Sequence, residues 1–90
     1  MNQTMRRQLA ESRRALAQCE ETLRGATRHT RAIGGLLNDT PEPGAQRDYL
    51  LNELSRAESF CDELDTTIDD HRSRIARLEQ QERLDGRFSK

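Results

Sequence analysis

From Met5 onward, apolar or small side chains return at alternating steps of four and three: Met5, Leu9, Ser12, Leu16, Cys19, Leu23, Ala26, Thr30, Ile33 and Leu37. This is the spacing of a coiled-coil seam, a narrow stripe that each helix buries against a partner. A second run of the same kind passes through Leu50, Leu54, Ala57, Cys61, Leu64, Ile68, His71, Ile75 and Leu78. Between them, Asn38-Asp39-Thr40-Pro41-Glu42-Pro43-Gly44 holds both prolines and reads as a turn. The pattern predicts an all-α chain with a helix over about 3–37, a turn over 38–44, a helix over about 45–85 and a frayed tail over 86–90, forming a single domain across 1–90. Thr40 is placed to cap the second helix, with Pro41 at its first position and Glu42 near its positive end. Gly34 and Gly35 weaken the end of the first helix, and Gly86 is the expected stop of the second.

A short connection folds the two helices antiparallel. A tight turn centred near Thr40 gives a register in which facing residue numbers sum to about 80, pairing Cys19 with Cys61 and Leu16 with Leu64. A looser connection permits a slip of one heptad, to sums of about 87, with Leu37 facing Leu50 and Leu9 facing Leu78. The first register puts the two cysteines in one layer, as small buried hydrophobes or as a disulfide in an oxidising setting. The second separates them.

Charge follows the same hairpin. Up to Leu37 there are seven arginines, Arg6, Arg7, Arg13, Arg14, Arg24, Arg28 and Arg31, against Glu11, Glu20 and Glu21. From Glu53 to Asp70 the acids Glu53, Glu58, Asp62, Glu63, Asp65, Asp69 and Asp70 face Arg56 alone. Antiparallel packing lays the basic helix along this acidic stretch, and complementary flanks are how coiled coils select orientation. Arg72, Arg74, Arg77 and Arg83 then return beside Arg6 and Arg7. One end of the rod is therefore basic.

Composition narrows the function classes. At 32% hydrophobic, 34% charged and 3% aromatic content, ninety residues hold little material for a thick core. No apolar run reaches the roughly 18 residues of a membrane span, and the opening segment lacks the apolar stretch of a signal peptide. Two cysteines at distant positions make neither a disulfide scaffold nor a zinc motif. The expectation is a soluble, cytoplasmic protein. His71 lies on a seam and His29 beside one, but the inward Glu-x-x-His of helical metal sites is absent, as are calcium-loop spacings and catalytic triads. No catalytic residue, cofactor, metal or small-molecule substrate is therefore expected, and the chain is not read as an enzyme.

Two helices in isolation leave much of each seam open, and Leu36, Tyr49, Leu51 and Phe60 lie off the primary seam where they would widen the apolar stripe. These four are the candidate docking residues. The expected assembly is a four-helix bundle, as a homodimer or with another helical protein, and the expected role is that of an adaptor, chaperone or inhibitor acting by helix packing. Arg6, Arg7, Arg13, Arg14, Arg72, Arg74 and Arg77 would steer approach to an acidic surface. The same arginines carry the alternative, a nucleic-acid-binding accessory protein, opposed by the net charge of −1 and the lack of aromatic stacking platforms.

Overall fold

The computed structural model describes residues 3–88; Met1, Asn2, Ser89 and Lys90, and with the last two the end of the expected tail, lie outside the described residues. Helix α1, Gln3–Asn38, and helix α2, Ala45–Phe88, fold back on each other into a rod of 71 × 15 × 14 Å. Both seams expected from the sequence face inward. Among the described residues no helix is long and apolar enough to cross a membrane.

The turn is built by backbone chemistry that the two prolines dictate. At the end of α1, Asp39 N donates to Gly35 O at 3.2 Å and Thr40 N to Leu37 O at 3.1 Å. The helix tightens there and stops, because Pro41 has no N–H to continue it. Arg47 Nη1 reaches back from α2 and donates to Thr40 O at 2.9 Å and Leu37 O at 3.3 Å, covering carbonyls that the helix end would leave unpaired. The second helix starts at Ala45, after Gly44, whose carbonyl accepts the first bond from Asp48 N at 3.0 Å. The expectation that Thr40 caps α2 with Pro41 at its first position is thereby corrected. Pro43 is the reason: it disfavours helical backbone at Glu42, so no helix can be entered until the second proline has passed.

Glycine stops neither helix. The first runs through Gly34 and Gly35 to Asn38, and the second runs past Gly86 to Phe88, two residues beyond the expected stop. No described glycine adopts a positive φ, so none forms the left-handed cap that would end a helix. Each costs helix stability instead, by about 1 kcal/mol relative to alanine.

The connection of six residues, 39–44, selects the looser of the two registers. Leu37 packs with Leu50 and Ile33 in one cluster, with Leu54 and Ala57 against it. Farther along the rod, Thr30 Oγ1 lies 3.7 Å from Cys61 Sγ, and Arg72 Nη2 lies 3.3 Å from Glu20 Oε2. These contacts fit facing numbers that sum to about 87, with flanking pairs a few higher. Cys19 then shares a layer with Ile68 and Cys61 with Ala26, about 10 Å apart along the rod at 1.5 Å per residue. Both thiols are free and half-buried, and the shared cysteine layer of the tighter register does not form.

Burial is strongest at the two ends. Met5, Leu9, Ser12 and Ile75 are buried toward the open end, Ile33, Leu37 and Leu50 beside the turn, and Ile68 midway at the level of Cys19. Between them Leu16, Cys19, Leu23, Ala26, Thr30, Ala57, Cys61 and Leu64 are only half-buried. No described large side chain is less than 2% exposed.

Two outcomes follow from this frame. Mild oxidation of the native chain should leave Cys19 and Cys61 unjoined within one molecule. In contrast, Cys61→Ser combined with Ile68→Cys should close a bridge between Cys19 and the thiol introduced at position 68, read by intact mass without reductant. A native Cys19–Cys61 bridge forming as readily would restore the tighter register. Separately, a Cβ added at Gly34 or Gly35 meets nothing within 4 Å. Gly35→Ala should therefore stabilise the fold by about 1 kcal/mol in urea titrations.

Candidate interaction face

The hairpin has two lateral flanks, and the heptad assigns every neighbour of the seam to one of them. On α1 the residues that follow Met5, Ser12, Cys19 and Ala26 are Arg6, Arg13, Glu20 and Thr27; on α2 those that follow Leu50, Ala57, Leu64, His71 and Leu78 are Leu51, Glu58, Asp65, Arg72 and Glu79. These line one flank. Ion pairs cross it, with Arg13 Nη2 3.7 Å from Glu79 Oε1 and Arg72 Nη2 3.3 Å from Glu20 Oε2. Its grooves are lined by Arg24, Arg31, Glu58, Asp62, Asp65 and Asp69 along with the edge of the seam. All these pairs are substantially exposed, so each contributes little to stability by itself.

The opposite flank is formed by residues that precede seam positions, and it differs in kind. On α1 it presents Ala15, Gln18, Thr22, Gly25, His29, Ala32 and Leu36, a row that contains no Asp, Glu, Lys or Arg. All seven arginines of that helix lie on the charged flank or on the outward back of α1. On α2 the row is Tyr49, Glu53, Arg56, Phe60, Glu63, Thr67 and Asp70 before the arginines of the open end. Tyr49 is 63% exposed, Leu36 54% and Phe60 47%. Beside Phe60 a shallow groove of about 310 Å³ opens between the helices, lined by Thr22, Gly25, Ala26, His29, Ala57 and Phe60. It exists because Gly25, Ala26 and Ala57 have too little side chain to fill the rod at that level.

The structure thus brings together three of the four expected docking residues, Leu36, Tyr49 and Phe60, and puts Leu51 on the charged flank. Gly25, His29 and Ala32 from the uncharged row of α1, and Arg56 from the mixed row of α2, belong to the same flank as Phe60 and were not among the candidates. The signal for them is in the sequence: after Glu11, the positions of α1 that precede its seam residues carry no charge from Ala15 to Leu36, a pattern visible only once the two sides of the seam are separated.

The arginines of the open end are exposed but do not form one stripe. Arg6, Arg13 and Arg72 lie on the charged flank, Arg7 and Arg14 on the back of α1, and Arg74 and Arg77 on the uncharged side's extension toward the open end. Arg13 and Arg72 are already matched with carboxylates across the hairpin. Nearer the middle, Arg24 Nη2 sits 2.6 Å from Glu21 Oε2. That hydrogen bond and its charge hold the Glu21 carboxyl below the usual carboxylate range and raise the Arg24 guanidinium. No protein family, curated protein or solved structure matches this chain closely enough to indicate a relationship.

Proposed function

We propose that this chain is a non-catalytic, cytoplasmic protein-interaction module that docks helices on the flank bearing Leu36, Tyr49 and Phe60, so that hairpin and partner together make a four-helix bundle. One observation carries the reading: α1 keeps a face about five turns long free of formal charge beside a seam that is only partly buried through its middle. The hairpin alone gives no reason for this. Ion pairs could bridge either flank equally well, and a helix face left to water in a chain that is 34% charged would be expected to carry its share, as the α2 row of the same flank does with Glu53, Arg56, Glu63 and Asp70. Apolar groups at fractional exposures near one half are what a helix face presents before a second layer of helices covers it.

As adaptor, chaperone or inhibitor, the module gains its affinity from apolar packing at Phe60 and specificity from the charges that border it. The scattered arginines of the open end raise encounter rates with acidic surfaces. A rod 15 Å wide with open grooves has no enclosed space in which to exclude water around a substrate, which weighs against catalysis.

The test is co-purification of a tagged chain at moderate salt, with mass determination of what it retains. Phe60→Ser and Leu36→Ser should each strip the retained species, the second copy included, by about tenfold or more, the loss expected of a buried apolar anchor. Leu51→Ser, on the charged flank, should leave them in place. Retention unaffected by Phe60→Ser, or lost equally with Leu51→Ser, would remove the reading.

A further inference from the structure

Resting on that reading, we propose that the occupant of the uncharged flank is a second copy of this chain, packed antiparallel about a two-fold axis beside Phe60. The flank is self-complementary in that arrangement. Phe60 projects next to a groove that Gly25, Ala26 and Ala57 leave unfilled, and a two-fold axis turns each protruding ring toward the groove of the other copy. Arg56 stands four residues before Phe60 and Glu63 three after it, so the rotation brings each Arg56 opposite Glu63 of the second copy. Arg56 is loosely held: its side chain is 81% exposed and its one ion pair across 3.7 Å is with Glu53 of its own helix, an exposed contact that costs little to give up. Tyr49 falls opposite Asp70 of the second copy, where its hydroxyl can donate to a carboxylate.

Charge also decides the direction. With both turns at the same end, Arg74 and Arg77, the arginines of the basic end that lie on this flank, would meet those of the second copy, and like charges in contact oppose association. Antiparallel packing sends them to opposite ends. The α2 helices then overlap from about residue 46 to residue 74, some 42 Å, and at the rod's width this covers about 1,200 Å² in total, within the range of a specific interface. Each basic end projects beyond the overlap.

Sedimentation equilibrium from micromolar to millimolar concentration reads this directly. The native chain should be a dimer. A Cβ at Gly25 meets nothing within 4 Å, so Gly25→Leu has room to fill the groove against Ala57 and Phe60 of its own hairpin and should weaken the dimer by about 100-fold while helicity at high concentration persists. Arg56→Glu and Glu63→Arg singly should each weaken it by about 3- to 10-fold, and the two together should restore it. The rescue is diagnostic, because the internal Glu53–Arg56 pair stays broken in the double variant. In a Cys19→Ser, Cys61→Ser background, Phe60→Cys should cross-link the two copies and Tyr49→Cys should not. A monomer at all concentrations that still retains a partner through Phe60 would overturn the second copy while leaving the docking reading intact. A dimer indifferent to Gly25→Leu, or one that cross-links through Tyr49→Cys, would overturn the proposed geometry.

Discussion

A hairpin of two helices can cover only one side of each seam, and this limit shapes the rest of the molecule. In a bundle or a globule a seam residue is enclosed by neighbours on several sides; here it has one helix opposite and solvent to left and right. Even Ile68, at 4% exposure, falls short of complete burial, and Leu16, Leu23 and Leu64 remain partly exposed. The seam therefore fixes orientation and register with a modest share of the burial energy that its leucines could supply, because that energy scales with the apolar area removed from water. What the chain does with its flanks matters more than in a thicker fold.

The flanks have been given opposite assignments. One carries the cross-helix pairs Arg13–Glu79 and Arg72–Glu20 and the acids around Asp65, a surface that water solvates well. The other carries Leu36, Tyr49 and Phe60 over a charge-free face of α1. Small seam residues sit at the same level as Phe60, so the place where the hairpin is least filled by its own side chains is also where its flank is most apolar. A residue such as Gly25, which weakens the helix and relieves no crowding inside the hairpin, makes sense at that level only in relation to something outside it.

Much of the architecture was legible because the four-three alternation of apolar residues is unbroken from Met5 to Leu37 and from Leu50 to Leu78, and nothing but the two-proline turn interrupts it. Register was not legible from the seam, since a heptad pattern looks the same after a slip of seven. The turn decided it, through the inability of Pro41 and Pro43 to enter a helix, and placing Thr40 at the cap fails because it treats Pro41 without its neighbour two residues on. Expecting helix ends at glycine fails for a related reason: glycine permits a left-handed stop but does not impose one, and Gly34, Gly35 and Gly86 remain helical where both sides can continue. In the candidate face, Leu36, Tyr49 and Phe60 could be recognised as apolar residues away from the seam. Their grouping, and the exclusion of Leu51, depended on whether each residue precedes or follows its seam neighbour.

That distinction also bears on how strongly the chain is held in one state. The cross-helix ion pairs are exposed and the thin middle of the seam is lined by Ala26, Ala57 and two free cysteines, so neither can give the hairpin a deep energy minimum by itself. Covering the flank that bears Phe60 would bury the open sides of Ala26 and Ala57 in the same step that buries Phe60, because these seam residues line the groove. Occupation of that flank then adds to the burial of the middle from one side, while Leu23, Ile68, Thr30 and Cys61 stay open to the grooves of the charged flank. A design of this kind trades stability in isolation for sensitivity to a partner, since each apolar group left half-exposed in the free hairpin adds to the free energy released on docking. The charged flank opposes docking on the wrong side, where bringing Arg24, Asp65 and Asp69 out of water without matched partners would cost more than the little apolar surface there could return.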